Sequence, residues 1–164
     1  MDDAFDYVIV GGGSAGCVLA SRLSENPDVT VLLLESGGRD DHPDLAVPPA
    51  WPSLWGSNVD YSYNTVPQEA AGGGAHNWPR GHTLGGSSSI NAMVHLRGHR
   101  NDFDTWAQVA GESWSYDAVL PYFMKSETVP DGDAKVRGDK GPLRPAPSSS
   151  PNPVSQTFLD AAAE

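Results

Sequence analysis

Residues 5–35 read FDYVIVGGGSAGCVLASRLSENPDVTVLLLE, and this stretch decides the fold. Phe5–Val10 is a short apolar run rich in β-formers, the pattern of a strand buried on both faces. It stops at Gly11-Gly12-Gly13. After Ser14 the apolar residues Ala15, Val18, Leu19 and Leu23 fall at helical spacing, with Arg22 and Glu25 on the other face. Asn26-Pro27-Asp28 ends that helix, and Val29–Leu34 is a second apolar run closed by Glu35. Strand, helix and strand in succession predict a βαβ unit whose strands are parallel, because the crossover is helical. The fold class is therefore α/β.

The turn between the first strand and the helix, Gly11 to Gly16, has the spacing G-x-G-x-x-G. Glycine-rich turns are common, but this one follows a strand, opens a helix and is answered by an acidic residue at the end of the next strand. That combination predicts a Rossmann-like dinucleotide site. Gly11 permits the tight turn, Gly13 lets a pyrophosphate approach the backbone, and Gly16 lets helix and strand pack closely. The helix N-terminus offers free N–H groups and a positive dipole end to the phosphates. Glu35, 19 residues after Gly16, is placed to accept hydrogen bonds from a ribose 2′-OH and to repel a 2′-phosphate, which disfavours NADP. Cys17, on the second turn, is expected to be a small packed residue rather than a nucleophile.

Composition bounds what else the chain can be. Ten Lys and Arg against 21 Asp and Glu give a net charge of −11 over 164 residues. So acidic a chain argues against nucleic acid or an anionic membrane as its main partner. No run reaches the roughly 18 apolar residues of a membrane span. A single cysteine allows no internal disulfide, and Asp2, Asp3 and Asp6 surround the first apolar residues where a secretory signal would be basic. A cytoplasmic protein is the expectation. The five histidines, His42, His76, His82, His95 and His99, show no metal-ligand spacing, so no metal site is expected.

Beyond Glu35 the regularity dissolves. Eighteen glycines and 14 prolines make up about a fifth of the chain, against an average near 12%. Residues 36–78 carry Gly, Pro and aromatics without period. They are read as an extended segment covering a ligand, with short pairings near Tyr61–Val66. Residues 79–98, PRGHTLGGSSSINAMVHLRG, form a second glycine-serine loop, dense in backbone donors. Helices are expected around Asp102–Val109 and Tyr116–Ser126, the latter with Ser115 as N-cap and a kink or break at Pro121. Residues 129–153 read as loop, and Val154–Ala163 as a helix with Val154, Phe158, Leu159 and Ala162 on one face.

Residues 5–35 and 79–98 together resemble the glucose–methanol–choline (GMC) family of flavoprotein oxidoreductases. The second stretch matches that family's R-G-x-x-L-G-G-S-S-x-x-N signature. The spacing of about 70 residues between the two glycine clusters fits, as do Trp51 and Trp55, Asp60-Tyr61-Ser62-Tyr63 and Thr65-Val66-Pro67-Gln68. Tyr116–Glu127 is similar to the family helix that follows. The resemblance implies FAD as cofactor, with Gly11, Gly13, Ser14, Ala15, Gly16 and Glu35 holding its ADP half. Arg80, Leu84, Gly85, Ser88, Asn91, Ala92, Met93 and Val94 would line the flavin half. His82 and His95 depart from the pattern beside matched positions. Some relatives attach FAD through a His at the position of Ile90, so the flavin is expected to be non-covalent here.

The implied reaction is oxidation of a small-molecule alcohol, a base taking the hydroxyl proton while hydride passes to flavin N5, with O2 or another acceptor reoxidising it. In the family that base lies near the far C-terminus of a chain over three times as long, so no catalytic residue is expected within these 164. A lyase of the same family and a non-catalytic FAD-binding fragment remain alternatives. The resulting division is 1–35 as the ADP-binding βαβ unit, 36–78 as cofactor cover, 79–98 as the flavin loop and 99–128 as helices. Residues 129–164 open the next segment, towards a substrate domain. Two strands make an incomplete sheet, since sheets average about five to six strands. The chain is thus expected to be the first third of a flavoenzyme, completed by the remaining C-terminal portion as a separate chain.

Overall fold

The computed structural model describes residues 4–148 and 150–163. Its contacts divide the chain into two compact units, Met1–Val94 and His95–Glu164.

The first unit opens with strand β1 (Tyr7–Val10), helix α1 (Ser14–Leu23) and strand β2 (Val31–Leu34). The strands pair parallel, in register from Tyr7 opposite Val31 to Val10 opposite Leu34. This is the βαβ unit expected from the alternation of apolar runs and glycine turn. Both strands begin two residues later than the apolar runs. At their entry the Asp6 carboxylate accepts from the Thr30 amide and hydroxyl, both at 2.8 Å.

Burial within the described residues of this unit is one-sided. The strands are not buried on both faces: Ile9 is buried, whereas Val8 and Val10 are 55% and 84% exposed. Alternate residues of a strand point to opposite faces. Helix α1 covers the face of Ile9, and among the described residues no layer covers the other. Nor does α1 bury the expected stripe. Gly16 is its one buried residue, with Ala20 and Leu23 partly buried behind it, while Val18 and Leu19 face outward. The helix sits so close to β1 at Gly16 that the contact line runs along i, i+4 and i+7 from that glycine.

Residues 36–80 are built from short pieces. Single turns of 3-10 helix at Pro43–Ala46 and Pro48–Ala50 lead into helix α2 (Trp51–Leu54). Strands β3 (Tyr63–Asn64) and β4 (Asn77–Trp78) pair antiparallel; β3 lies where short pairings were expected, whereas its partner lies eleven residues beyond that stretch. Helix α3 (Ser87–Ile90) carries Ile90 into a small core with Leu54 and Val59, flanked by Leu45. This core anchors the second glycine loop to residues 45–59.

The second unit holds helices α4 (Arg100–Ala110), α5 (Tyr116–Ser126) and α6 (Pro153–Ala163). The His99 ring nitrogen accepts from Asn101 N, and Asp102 accepts from His99 N at 2.7 Å, so a capping box starts α4. Phe103 of α4 packs edge-on against Phe123 of α5, with ring centres 5.4 Å apart. Of the kink or break expected at Pro121, the break does not occur: α5 runs on through it. Pro121 stands six residues in, so it forfeits one early hydrogen bond, and the packing of Phe123 holds the helix beyond it. Ser115 occupies the N-cap position without a side-chain bond; Asp104 instead accepts from Tyr116 N at 3.0 Å. In α6, Val154, Phe158 and Leu159 share a face that is exposed. No helix among the described residues is long and apolar enough to cross a membrane.

Candidate functional site

The first glycine loop leaves the sheet with Gly11 N donating to Leu34 O at 2.7 Å, which extends the β1–β2 ladder by one rung. Gly11 then takes φ +98°, a conformation that side chains disfavour. A Cβ on Gly16 would lie 1.9 Å from Gly11 O, so helix and turn are in direct backbone contact there. Gly13 is different. It has ordinary extended geometry, and a Cβ on it would meet nothing within 4 Å. It is the N-cap of α1 with no side-chain cap. The amides of Gly13, Ser14 and Ala15 meet no protein acceptor among the described residues. The loop thus presents an open concavity lined by unclaimed N–H donors at a positive helix end, the chemistry that receives phosphate oxygens.

Glu35 closes one side. Its Oε2 accepts from Gly12 N at 2.5 Å and its Oε1 from Gly37 N at 2.8 Å. The Gly37 N–H is the main cause holding this carboxyl below its ordinary value; burial opposes it, and the Gly12 and Ser36 amides and nearby His82 add to it. Glu35 is therefore ionised and fixed in position at neutral pH. Cys17 is partly buried, and its Sγ donates to Gly12 O at 3.0 Å.

The second glycine loop lies against the first. Gly85 N donates to Gly12 O at 2.7 Å, and Leu84 N to Gly38 O at 3.1 Å. Gly86, at φ +55°, comes so near that a Cβ on it would stand 2.8 Å from Gly13 Cα. Fully buried Thr83 ties the approach through its hydroxyl to Gly38 O and Arg39 O. Two glycine clusters some 70 residues apart in sequence thus form one surface, with Glu35 and Leu84 beside it.

The remaining candidate residues lie around two cavities, apart from Val94. Ser88 turns its hydroxyl onto Gly85 O at 2.6 Å, inside its own loop. Arg80 donates to Pro79 O and lies over the Trp78 ring, 4.9 Å from its centre. Arg80, Asn91 and Ala92 line a cavity of about 550 Å³ together with Trp55 and Trp78. Ser88, Asn91 and Met93 line another of about 320 Å³, with Leu45 and Trp51. Val94 is exposed and lines neither.

Three features escaped the sequence reading. Asp60 is buried and accepts from the amides of Gly56, Ser62 and Arg80, so it fixes both residues 56–62 and the start of the second loop. Tyr61 stacks on His82 at 4.2 Å and hydrogen-bonds Ser36, next to Glu35. Glu127, wholly buried in the second unit, gathers Arg97 at 2.6 Å, Arg137 at 3.0 Å and His95 at 3.0 Å. The Asp60-Tyr61 pair stood in a motif already noticed. Glu127 closed the stretch Tyr116–Glu127, but nothing local marked its role, because its partners lie 10 to 32 residues away. Among the described residues no group of three or more His, Cys, Asp or Glu could hold a metal ion.

The family model described as GMC oxidoreductase matches residues 5–164. The oxygen-dependent choline dehydrogenase of Vibrio vulnificus is 44% identical over 100% of this chain and 30% of its own length. The crystal structure of pyridoxine 4-oxidase from Mesorbium loti superposes with a TM-score of 0.91 at 44% identity, covering 98% of this chain and 32% of that one. An FAD-dependent oxidoreductase from Chaetomium thermophilum superposes with a TM-score of 0.84 at 34% identity, covering 98% of this chain and 29% of that one. The chain spans about a third of the length of these relatives.

Proposed function

This chain belongs to the GMC oxidoreductase family, with FAD as its cofactor, and on that premise we propose that it is the cofactor-binding portion of an enzyme that oxidises an alcohol, the flavin taking hydride and O2 or another acceptor taking the electrons. The observation that carries the reading is the hydrogen bond from Gly85 N to Gly12 O, which joins the two glycine loops into one cradle. The relatives named as an oxidase and a dehydrogenase support the reaction class.

In this proposal Gly11, Gly13, Ser14, Ala15 and Gly16 receive the pyrophosphate, for which the empty space over Gly13 and the free amides behind it are suited. Glu35, ionised, accepts from the ribose hydroxyls and repels a 2′-phosphate. Arg80, Leu84, Gly85, Ser88, Asn91, Ala92, Met93 and Val94 make the flavin half of the site, mainly by shape and backbone donors. Ile90 is apolar and buried, with no nucleophile to offer, so the flavin is held without a covalent bond. The base that takes the alcohol proton lies outside these residues, in the remaining two thirds that the relatives possess. We place the enzyme in the cytoplasm, a reducing setting that suits the free cysteine of this chain, Cys17.

The experiment is anaerobic mixing of the holoenzyme with a panel of small alcohols. The yellow oxidised flavin should bleach with at least one of them and recover when an acceptor is admitted. A flavin that stays yellow while the enzyme cleaves a cyanohydrin contradicts the proposal and assigns the lyase reaction.

A further inference from the structure

Two non-glycine residues among those described hold a left-handed backbone, Ser62 at φ 50° and Met93 at φ 57°. In that conformation Cβ crowds the following carbonyl oxygen, so each needs local support. The support is the same in both. Asp60 Oδ1 accepts from Ser62 N at 3.0 Å, and Asn91 Oδ1 accepts from Met93 N at 2.7 Å. Each is an Asx turn, a side-chain oxygen closing on the amide two residues ahead.

Asn91 stands at a corner. Before it, Ile90 is packed in the core and its carbonyl accepts from Trp55 Nε1 at 3.3 Å. After it, the chain turns through Ala92 and Met93. Asn91 lines both the 550 Å³ and the 320 Å³ cavity, whereas Ala92 lines the first and Met93 the second. The turn therefore decides which residue faces which cavity.

We propose that Asn91 is a positioning residue: its side-chain oxygen is committed to the Met93 amide, and it serves the flavin site by holding Met93 left-handed rather than by touching the cofactor. This rests on the FAD reading above. It predicts which substitution cures the loss of Asn91. Glycine adopts positive φ without penalty, so a glycine at 93 removes the need for the Asx turn.

The test compares Asn91→Ala, Asn91→Asp and the double variant Asn91→Ala/Met93→Gly in the holoenzyme. The readouts are FAD affinity, the position of the flavin absorbance bands and the melting temperature. Asn91→Ala should bind FAD about tenfold more weakly, the effect of one lost hydrogen bond, and shift the bands. Asn91→Asp keeps the acceptor and should stay near wild type. The double variant should regain most of the affinity, band position and melting temperature, and should fold even if Asn91→Ala does not. A double variant no better than Asn91→Ala, or one that fails to fold, overturns the proposal. A wild-type enzyme that takes up no FAD overturns the cofactor reading instead.

Discussion

Gly16→Ala in the holoenzyme should destabilise the cofactor domain strongly, whereas Gly13→Ala, three residues away, should leave the fold intact and weaken cofactor binding. A Cβ at Gly16 would stand 1.9 Å from Gly11 O and 3.4 Å from Ile9 Cγ2. The first is a backbone atom, so relief requires α1 to lift from β1 and the turn to open. Overpacking of this severity costs about 3 kcal/mol, a large fraction of a typical domain stability of about 5–15 kcal/mol. The melting temperature should fall by on the order of 10 °C. At Gly13 the added methyl meets no protein atom within 4 Å and the backbone is already extended. The methyl enters the space proposed for the pyrophosphate, and FAD affinity should drop by about ten- to a hundredfold with the melting temperature of the apoenzyme unchanged. Thermal melts with and without FAD, together with flavin titration, check both. Equal behaviour of the two variants would show that the glycines do not divide their roles this way.

The second large effect concerns the other unit and is structural. Glu127→Gln should cost about 3 kcal/mol, because it leaves the guanidiniums of Arg97 and Arg137 beside a neutral group in a buried setting. Arg97 is only 13% exposed and cannot turn fully to water. The knot is tight in its backbone too: a Cβ on Gly138 would lie 1.8 Å from Met124 O, and one on Gly141 2.1 Å from Glu127 N. Burial pushes the Glu127 pKa up, but the hydrogen bond to His95, the Gly138 amide and the charges of Arg97 and Arg137 outweigh it, and the net shift is downward. A carboxylate held below its unfolded value stabilises the fold above the ordinary glutamate range. That contribution fades as the pH falls through and below it. Wild type should therefore lose stability on acidification in a step that Glu127→Gln lacks. Hydrogen exchange of the segment 95–141, measured against pH, reads this directly. Matching acid profiles in the two proteins would contradict it.

What the sequence made legible follows from which signals are local. The βαβ unit could be read because alternating apolar runs, a glycine turn and a closing acid lie within 31 consecutive residues. The burial within it could not. Val18 and Leu19 carry the hydrophobic signal of α1 yet face outward, while the contact is made by Gly16, which carries none. Helix α5 survived Pro121 because aromatic packing from α4 supports it, a tertiary effect that composition does not announce. The second glycine loop was recognisable from its pattern. Its contact with the first was not, because Gly12 O and Gly85 N meet across 73 residues of mostly short turns. Asn91 was visible as a candidate, but its engagement with Met93 depends on a backbone angle that no side-chain pattern encodes.

If the two glycine loops form one FAD cradle, the cofactor must protect both at once. Hydrogen exchange on the full-length enzyme, with FAD bound and after its removal, tests this most directly. Removal should sharply accelerate exchange at the amides of residues 13–15 and 91–94 together. Loss of protection at one loop alone, or at neither, would contradict it.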